Sequence, residues 1–242
     1  MVCDGVEAGD PFARRSPEGT THHAPRTSTS SSSVPSPQVR HPQPEGPLSE
    51  LPVILAITGA SGAAYGVRLL EVLARQRQPT WLLVSGHGWR LLAEECGIKD
   101  RAGLERATGG DWSSVRLFDD ADRGAEPASG STRTAGMVVC PCSMGTAAAI
   151  AHGTSRSLIE RAADVILKER RKLILVPRET PLSLVHLRNL TAATEAGAVV
   201  LPAAPGFYHR PTQVSQLIDF IVQRVLDHLD IEATLVPRWQ QP

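Results

Sequence analysis

The sequence predicts an α/β fold, a doubly wound parallel sheet between two helical layers in a flavodoxin-like or Rossmann-like three-layer sandwich. Three observations predict it. Runs such as VILAIT (Val53 to Thr58) and MVVCP (Met137 to Pro141) are too apolar to face water on either side. Stretches of helical periodicity alternate with such runs along the chain. Two of the runs end in turns of small residues, Gly59 to Gly62 and Cys142 to Thr146, and paired turns of this kind at strand ends form one ligand crevice.

The elements follow in order. Val53 to Thr58 is strand one, Tyr65 to Leu73 carries the apolar stripe of a helix, and Trp81 to Ser85 is strand two. Trp89 to Cys96 reads as helix, and a polar region follows with a short strand at Val115 to Phe118. Strand three is Met137 to Pro141, with helices from Met144 and over Leu158 to Lys168. Leu173 to Val176 makes strand four, a helix follows Pro181, Ala198 to Leu201 makes strand five, and Val214 to Leu229 is a long amphipathic helix. Its stripe of Val214, Leu217, Ile218, Ile221, Val225 and Leu229 suits either the core or an interface. Right-handed crossovers and five strands favour the order 2-1-3-4-5, with its switch point between strands one and three.

The first fifty residues read differently. They contain TSTSSSSVPSPQ and prolines at Pro11, Pro17, Pro25, Pro35, Pro37 and Pro42, with almost no periodic apolar residues. Such a segment cannot bury enough surface to offset its ordering entropy, so residues 1–50 are expected to be a disordered extension. Arg14, Arg15 and Arg26 would suit a mitochondrial presequence, but Asp4, Glu7, Asp10 and Glu18 oppose it. Residues 51–235 then form the folded domain and 236–242 a tail.

Composition narrows the function classes. The 25 basic and 25 acidic residues cancel, so no charge excess points to nucleic acid as partner. No run of about 18 apolar residues offers a membrane span. Four scattered cysteines, Cys3, Cys96, Cys140 and Cys142, suit a reduced, cytoplasmic chain. Cys140 and Cys142 form C-x-C without a second Cys or His pair, so no metal site is expected. His152, His186 and His209 have no nucleophilic serine motif to serve.

The crevice residues suit an anion. Ser143 and Thr146 offer hydroxyls beside the first N–H groups of a helix, a combination that binds phosphate without a lysine. Gly59, Ala60, Ser61 and Gly62 do not make G-x-G-x-x-G, and strand two ends at Ser85, Gly86 and His87 where a dinucleotide site would have an acid. A mononucleotide such as FMN fits better. The glycine-rich turn alone would equally suit a tight connection without ligand.

Further cations lie in RAADVILKERRKLILVPRETP (Arg161 to Pro181). Arg161 and Lys168 are seven apart, two turns along one helical face, so both can approach one anion. Strand four delivers Arg178 and Glu179 from its carboxyl end, with Pro181 opening the next helix. A carboxylate among cations can exchange a proton with a phosphate oxygen. Arg170, Arg171 and Lys172 read as a solvated face.

The set ITGASGAAYGVRLLE (Ile57 to Glu71), MVVCPCSMGT (Met137 to Thr146), RAADVILKE (Arg161 to Glu169), VPRETPLS (Val176 to Ser183) and PGFYHRP (Pro205 to Pro211) resembles the UbiX/Pad1 family of flavin prenyltransferases. The likeness spans about Leu51 to Trp239, with Ala64, Ser157 and Asp230 departing from the family pattern. It implies an enzyme that joins the dimethylallyl group of dimethylallyl phosphate to N5 and C6 of reduced FMN, without a metal. The product would serve a UbiD-type decarboxylase, and the chain would form a homo-oligomer, typically a dodecamer, with sites completed across subunits. By motif, Gly59, Ala60, Ser61, Ser85, Ser143, Met144, Gly145, Thr146 and Arg178 would hold FMN. Arg161, Lys168, Glu179, Tyr208 and Arg224 would meet the prenyl phosphate, and Trp239 would cover the site. Ser61, Lys168 and Glu179 would be catalytic, with Glu179 protonating the departing phosphate and Ser61 relaying a proton near N5. Two other readings share these features: a non-catalytic flavin carrier in a decarboxylase complex, and a related FMN-dependent cysteine decarboxylase. The latter needs a His in the first helix region and an Asn-rich clamp, and the chain has neither.

Overall fold

The structure is a computed structural model that describes residues 50–237. The expected extension over residues 1–50, except Glu50, and the tail residue Trp239 lie outside the described residues, as does Cys3. The sheet has six parallel strands, β1 (Val53–Ile57), β2 (Thr80–Val84), β3 (Val115–Phe118), β4 (Gly136–Cys142), β5 (Leu173–Pro177) and β6 (Val199–Val200), in the order β3-β2-β1-β4-β5-β6. β1, β4 and β5 fill its centre and are buried at every position, as their unbroken apolar sequences require. β2 pairs with β1 in the register Val53↔Thr80, and β6 closes the far edge against β5. β6 is shorter than expected, although the Leu201 and Ala203 N–H groups still donate to Leu175 and Pro177 at 2.8 and 3.0 Å.

The expected order 2-1-3-4-5 is found as β2-β1-β4-β5-β6, with one strand more at the edge. β3 pairs with β2 in the register Thr80↔Val115 and adds an outer strand. Only Val115 and Phe118 of it are buried, so its sequence lacks the apolar continuity that marks the central strands. The switch point stays between β1 and β4, the first and third of the expected strands.

Helices cover both faces. α1 (Ala63–Arg75) and α7 (Val214–His228) bury Leu69, Leu73, Ile221 and Val225 with β1 residues Val53, Leu55 and Ile57 on one side. α4 (Met144–Ala151) and α5 (Leu158–Lys168) bury Ile150, Ile159 and Ile166 against Ile54, Met137 and Leu175 on the other. Each such fully buried side chain stabilises the fold by roughly 1.5–3 kcal/mol. The stripe of α7 divides between these roles: Ile221, Val225 and Leu229 are core, whereas Val214 is 72% exposed.

Two further helices begin elsewhere than expected, and a third was not expected. α2 (Gly86–Cys96) starts three residues early because the Ser85 hydroxyl accepts the Gly88 N–H at 3.0 Å and caps it. α3 (Arg101–Thr108) occupies the polar region, capped by Asp100 and stopped by Gly109 in the left-handed conformation. α6 (Leu184–Glu195) opens at Ser183, not Pro181, through reciprocal bonds between Ser183 and His186. Asp230, after α7, takes φ 59°, a conformation that glycine favours, and its carboxylate pairs with Lys172 at 2.8 Å.

Candidate active site at the switch point

One buried hydroxyl joins the two central junctions. Thr58 Oγ1 donates to the Pro141 carbonyl and accepts the Ser143 N–H, both at 2.8 Å, so the ends of β1 and β4 are held in register across 85 residues. Ser143 then caps α4: its Oγ accepts the Thr146 N–H at 3.2 Å and lies 2.9 Å from the Thr146 hydroxyl. On the neighbouring side the Ser85 N–H donates to Ile57 at 3.0 Å, which brings the start of α2 beside the end of β1. Gly59 fits only because it has no side chain. A Cβ there would lie 2.5 Å from His87 Cβ.

A cleft of about 530 Å³ opens above these junctions. Thr58 and Gly59 form its floor, with Ser85, Gly86, His87 and Arg90 on one wall and Ser143 and Thr146 on another. Asp120, Ser157 and Glu160 complete the third. Four helices start around this region, and their N–H groups are not equally free. The first N–H groups of α5 are taken by Asp120, whose carbonyl accepts Leu158 N–H at 2.7 Å and whose carboxylate accepts Ile159 N–H at 2.9 Å. At α2 and α4 a single serine accepts one N–H each, so Gly86, His87, Met144 and Gly145 N–H have no acceptor among the described residues. Those two starts are where an anion gains most.

The start of α1 is occupied by the protein itself. Its N-cap is Gly62 at φ 107°, which has no side chain to cap with, and Glu95 of α2 supplies the missing acceptor. Glu95 Oε2 accepts the N–H groups of Gly62 and Ala63, each at 2.8 Å. Burial works against its charge, but those two N–H groups, the Ser61 hydroxyl and the Arg178 cation outweigh it and hold its carboxyl below the usual range. Arg178 Nε in turn donates to the Ser61 carbonyl at 2.9 Å, which ties the end of β5 to the loop after β1. Burial, with the nearby Cys140, pushes the Tyr65 hydroxyl up, and Arg178 offsets part of that. Sequence reading missed Glu95. The signal was the absence of Ser, Thr, Asn or Asp at the N-cap of α1, which obliges an acceptor to come from elsewhere.

The expected flavin residues gather accordingly. Gly59, Ser85, Ser143 and Thr146 line the cleft, and Met144 and Gly145 form the open start of α4. Ala60 is buried beside it, while Ser61 and Arg178 belong to the adjoining Glu95 cluster. Glu179 follows Arg178 on the exposed loop after β5, and its carboxylate accepts the Thr180 N–H at 3.1 Å.

The expected prenyl phosphate residues do not gather within one chain. Arg161 pairs with Asp164 at 2.8 Å and Lys168 with Glu169, so the two cations are engaged separately along α5. Lys168 ends that helix beside Gly130, in the loop that enters β4, and so lies at the amino ends of the strands. The cleft is at their carboxyl ends, about 20 Å away along a strand of this length. Tyr208 packs edge-on against Phe220 of α7 with ring centres 5.7 Å apart, and Arg224 stands one turn further along the same face. Arg224 pairs with Asp227 at 3.0 Å. Arg171 corrects the reading of a solvated face, because its guanidinium is half-buried and donates to the carbonyls of Gly130 and Thr132.

Comparison with known proteins gives the family. Residues 41–226 match the Flavoprotein family model. The flavin prenyltransferase UbiX of Pseudomonas aeruginosa is 46% identical over 194 residues, covering 77% of this chain and 93% of that protein. The chain belongs to the UbiX flavin prenyltransferase family. Its relatives include the UbiX of Thauera aromatica, 46% identical over 189 residues, with 77% and 93% covered. Among solved UbiX structures, AnUbiX (PadA1) in complex with FMN and dimethylallyl pyrophosphate is 40% identical with a TM-score of 0.72, covering 79% of this chain and 98% of that one. A dodecameric FMN-dependent UbiX-like decarboxylase from Escherichia coli is 39% identical with a TM-score of 0.70, covering 79% and 100%. Among the described residues of this chain, no helix is long and apolar enough to cross a membrane.

Proposed function

We propose that this UbiX family member transfers the dimethylallyl group of dimethylallyl phosphate to N5 and C6 of reduced FMN. The observation that carries the reading is the cleft at the switch point, where open N–H groups at two helix starts meet the Ser85, Ser143 and Thr146 hydroxyls. That donor set fits a flavin monophosphate. Reduced FMN, when bound, supplies the nucleophilic positions that accept the allyl group. The chain's residues hold and orient both partners. Gly59, Ala60 and Ser61 would hold the flavin by their backbone, and Arg178 fixes that loop by its bond to Ser61. Ser61, whose hydroxyl contacts Glu95, would pass a proton toward N5 in this reading.

Breaking the allylic C–O bond leaves charge on phosphate, which fixed cations stabilise. Arg161, Lys168, Tyr208 and Arg224 take that role in this reading, with Glu179 giving the phosphate its proton and Trp239 covering the allyl group. The position of Lys168, away from the cleft within one chain, supports a homo-oligomer, of which the dodecamer is the expected form, whose copies complete one another's sites. The exposed apolar residues Leu184, Val185, Phe207 and Val214 give such contacts a surface. The enzyme works in the cytoplasm, where Cys96, Cys140 and Cys142 stay as free thiols, and hands its product to a UbiD-type decarboxylase.

The test is anaerobic incubation of the purified protein with reduced FMN and either dimethylallyl phosphate or the diphosphate, followed by mass analysis of the released flavin. The expected result is flavin carrying one added prenyl unit from the monophosphate, formed far more slowly by Glu179→Gln. Unmodified flavin from a folded, FMN-loaded protein would overturn the reading in favour of a carrier.

A further inference from the structure

Arg90 is the one Lys or Arg among the residues that line the cleft. It stands on α2 one turn beyond His87, so both side chains share a face of that helix. The other charged groups on the walls are Asp120 and Glu160, and each is already engaged. Asp120 accepts the Ile159 N–H, and Glu160 accepts the Arg156 N–H at 2.8 Å and pairs with its guanidinium at 2.9 Å. Burial opposes the charge of Glu160, and the Arg156 contacts outweigh it, so the carboxyl stays ionised. A phosphate entering the cleft therefore faces two fixed carboxylates and requires a cation to offset them.

We propose that Arg90 binds the FMN phosphate, its guanidinium leaving Glu94 to pair with that phosphate beside the open Gly86 and His87 N–H groups. The inference rests on the flavin reading above. Arg90 now pairs with Glu94 at 2.8 Å, one turn along α2, with side chains 69% and 52% exposed. An exposed pair of that kind contributes little and is readily exchanged. The pair with Glu94 is a single Nε–Oε1 contact at 2.8 Å, whereas a phosphate carries more negative charge than one carboxylate and offers the planar guanidinium a bidentate contact. The N–H groups fix the phosphate's position, and Arg90 supplies the charge.

The experiment titrates the full-length protein with FMN and with riboflavin, which lacks the phosphate, following flavin fluorescence. Wild type is compared with Arg90→Leu, Arg90→Lys and Glu94→Gln. Arg90→Leu weakens FMN binding about tenfold or more and leaves riboflavin binding within about twofold, as loss of one charge-assisted contact requires. Arg90→Lys retains part of the FMN affinity, and Glu94→Gln binds FMN no more weakly than wild type. Equal losses for the two flavins, or FMN affinity unchanged in Arg90→Leu, would overturn the proposal while leaving the flavin reading intact. Wild-type protein that binds neither flavin would overturn both.

Discussion

Glu95 and Gly62 are joined across 33 residues: the carboxylate of α2 accepts the N-cap N–H of α1 at 2.8 Å. A helix whose own N-cap is glycine is thereby capped from its neighbour, and two N–H groups that could have faced a ligand are closed to it. Removing the acceptor in Glu95→Ala costs about 1 kcal/mol, the usual worth of a cap. The urea midpoint falls with an unchanged slope. Because the folded carboxyl lies below its ordinary value of 4.5, Glu95 adds stability above that pH and the contribution is lost as pH falls through the lower folded value. The gap between wild type and Glu95→Gln therefore narrows below about pH 4.5, and a gap constant down to pH 3 would contradict this account.

Gly59→Ala places a methyl 2.5 Å from His87 Cβ. The start of α2 has to move, the wall formed by Ser85 to His87 shifts with it, and FMN affinity drops about tenfold or more by the cost of such overpacking. His87→Gly in the same chain removes the opposing atom and restores most of the affinity. Two losses that simply add would show that the contact is not the cause.

Ser143→Ala removes the acceptor for the Thr146 N–H and the partner of the Thr146 hydroxyl. Folding stability falls by about 1 kcal/mol. Flavin binding falls further than that loss alone explains, because the start of α4 also positions Met144 and Gly145 N–H. Isothermal titration beside a denaturation curve separates the two effects.

Lys168 stands at the amino ends of the strands and Ser143 at their carboxyl ends. If copies complete one another's sites, Lys168→Ala and Ser143→Ala proteins, each impaired, regain activity when unfolded together and refolded as a mixture. About a quarter of the wild-type rate is expected for random assembly in which each site draws one residue from each of two copies. A mixture no better than the mean of its parents rules out shared sites.

The legibility of the sequence followed from burial. α5 was read with its observed bounds, Leu158 and Lys168, because its apolar residues repeat at helical spacing between a serine cap and charged residues. β1, β4 and β5 announced themselves by unbroken apolar runs. α3 was missed, although Asp100 and Gly109 mark its two ends, because Leu104 and Thr108 are its only buried residues and give no stripe. β3 was seen as a strand, but pairing at an edge leaves little pattern from which its place in the order can be read. At the site, hydroxyls and glycines beside strand ends were legible as local chemistry. Glu95 was not, since nothing in WRLLAEEC distinguishes a carboxylate that reaches a neighbouring helix from one that faces water. The placement of Lys168 away from the cleft is likewise a property of which end of α5 faces which end of the sheet.

The thiols of β4 are sealed into the sheet. Cys140 and Cys142 have no exposed surface, and burial pushes both thiols up, Cys142 to about 12, so neither presents a thiolate to reagent in the native state. Cys96 is only half-buried. Burial and the neighbouring Glu95 raise the Cys96 thiol too, but it keeps exposed surface, so among the described cysteines alkylation marks Cys96 at the end of α2 first and reaches the central strand only when the sheet opens. The ratio of the two labels over time is a clock for that opening, and comparing it with and without flavin measures how tightly ligand binding at the strand ends clamps the middle of the molecule.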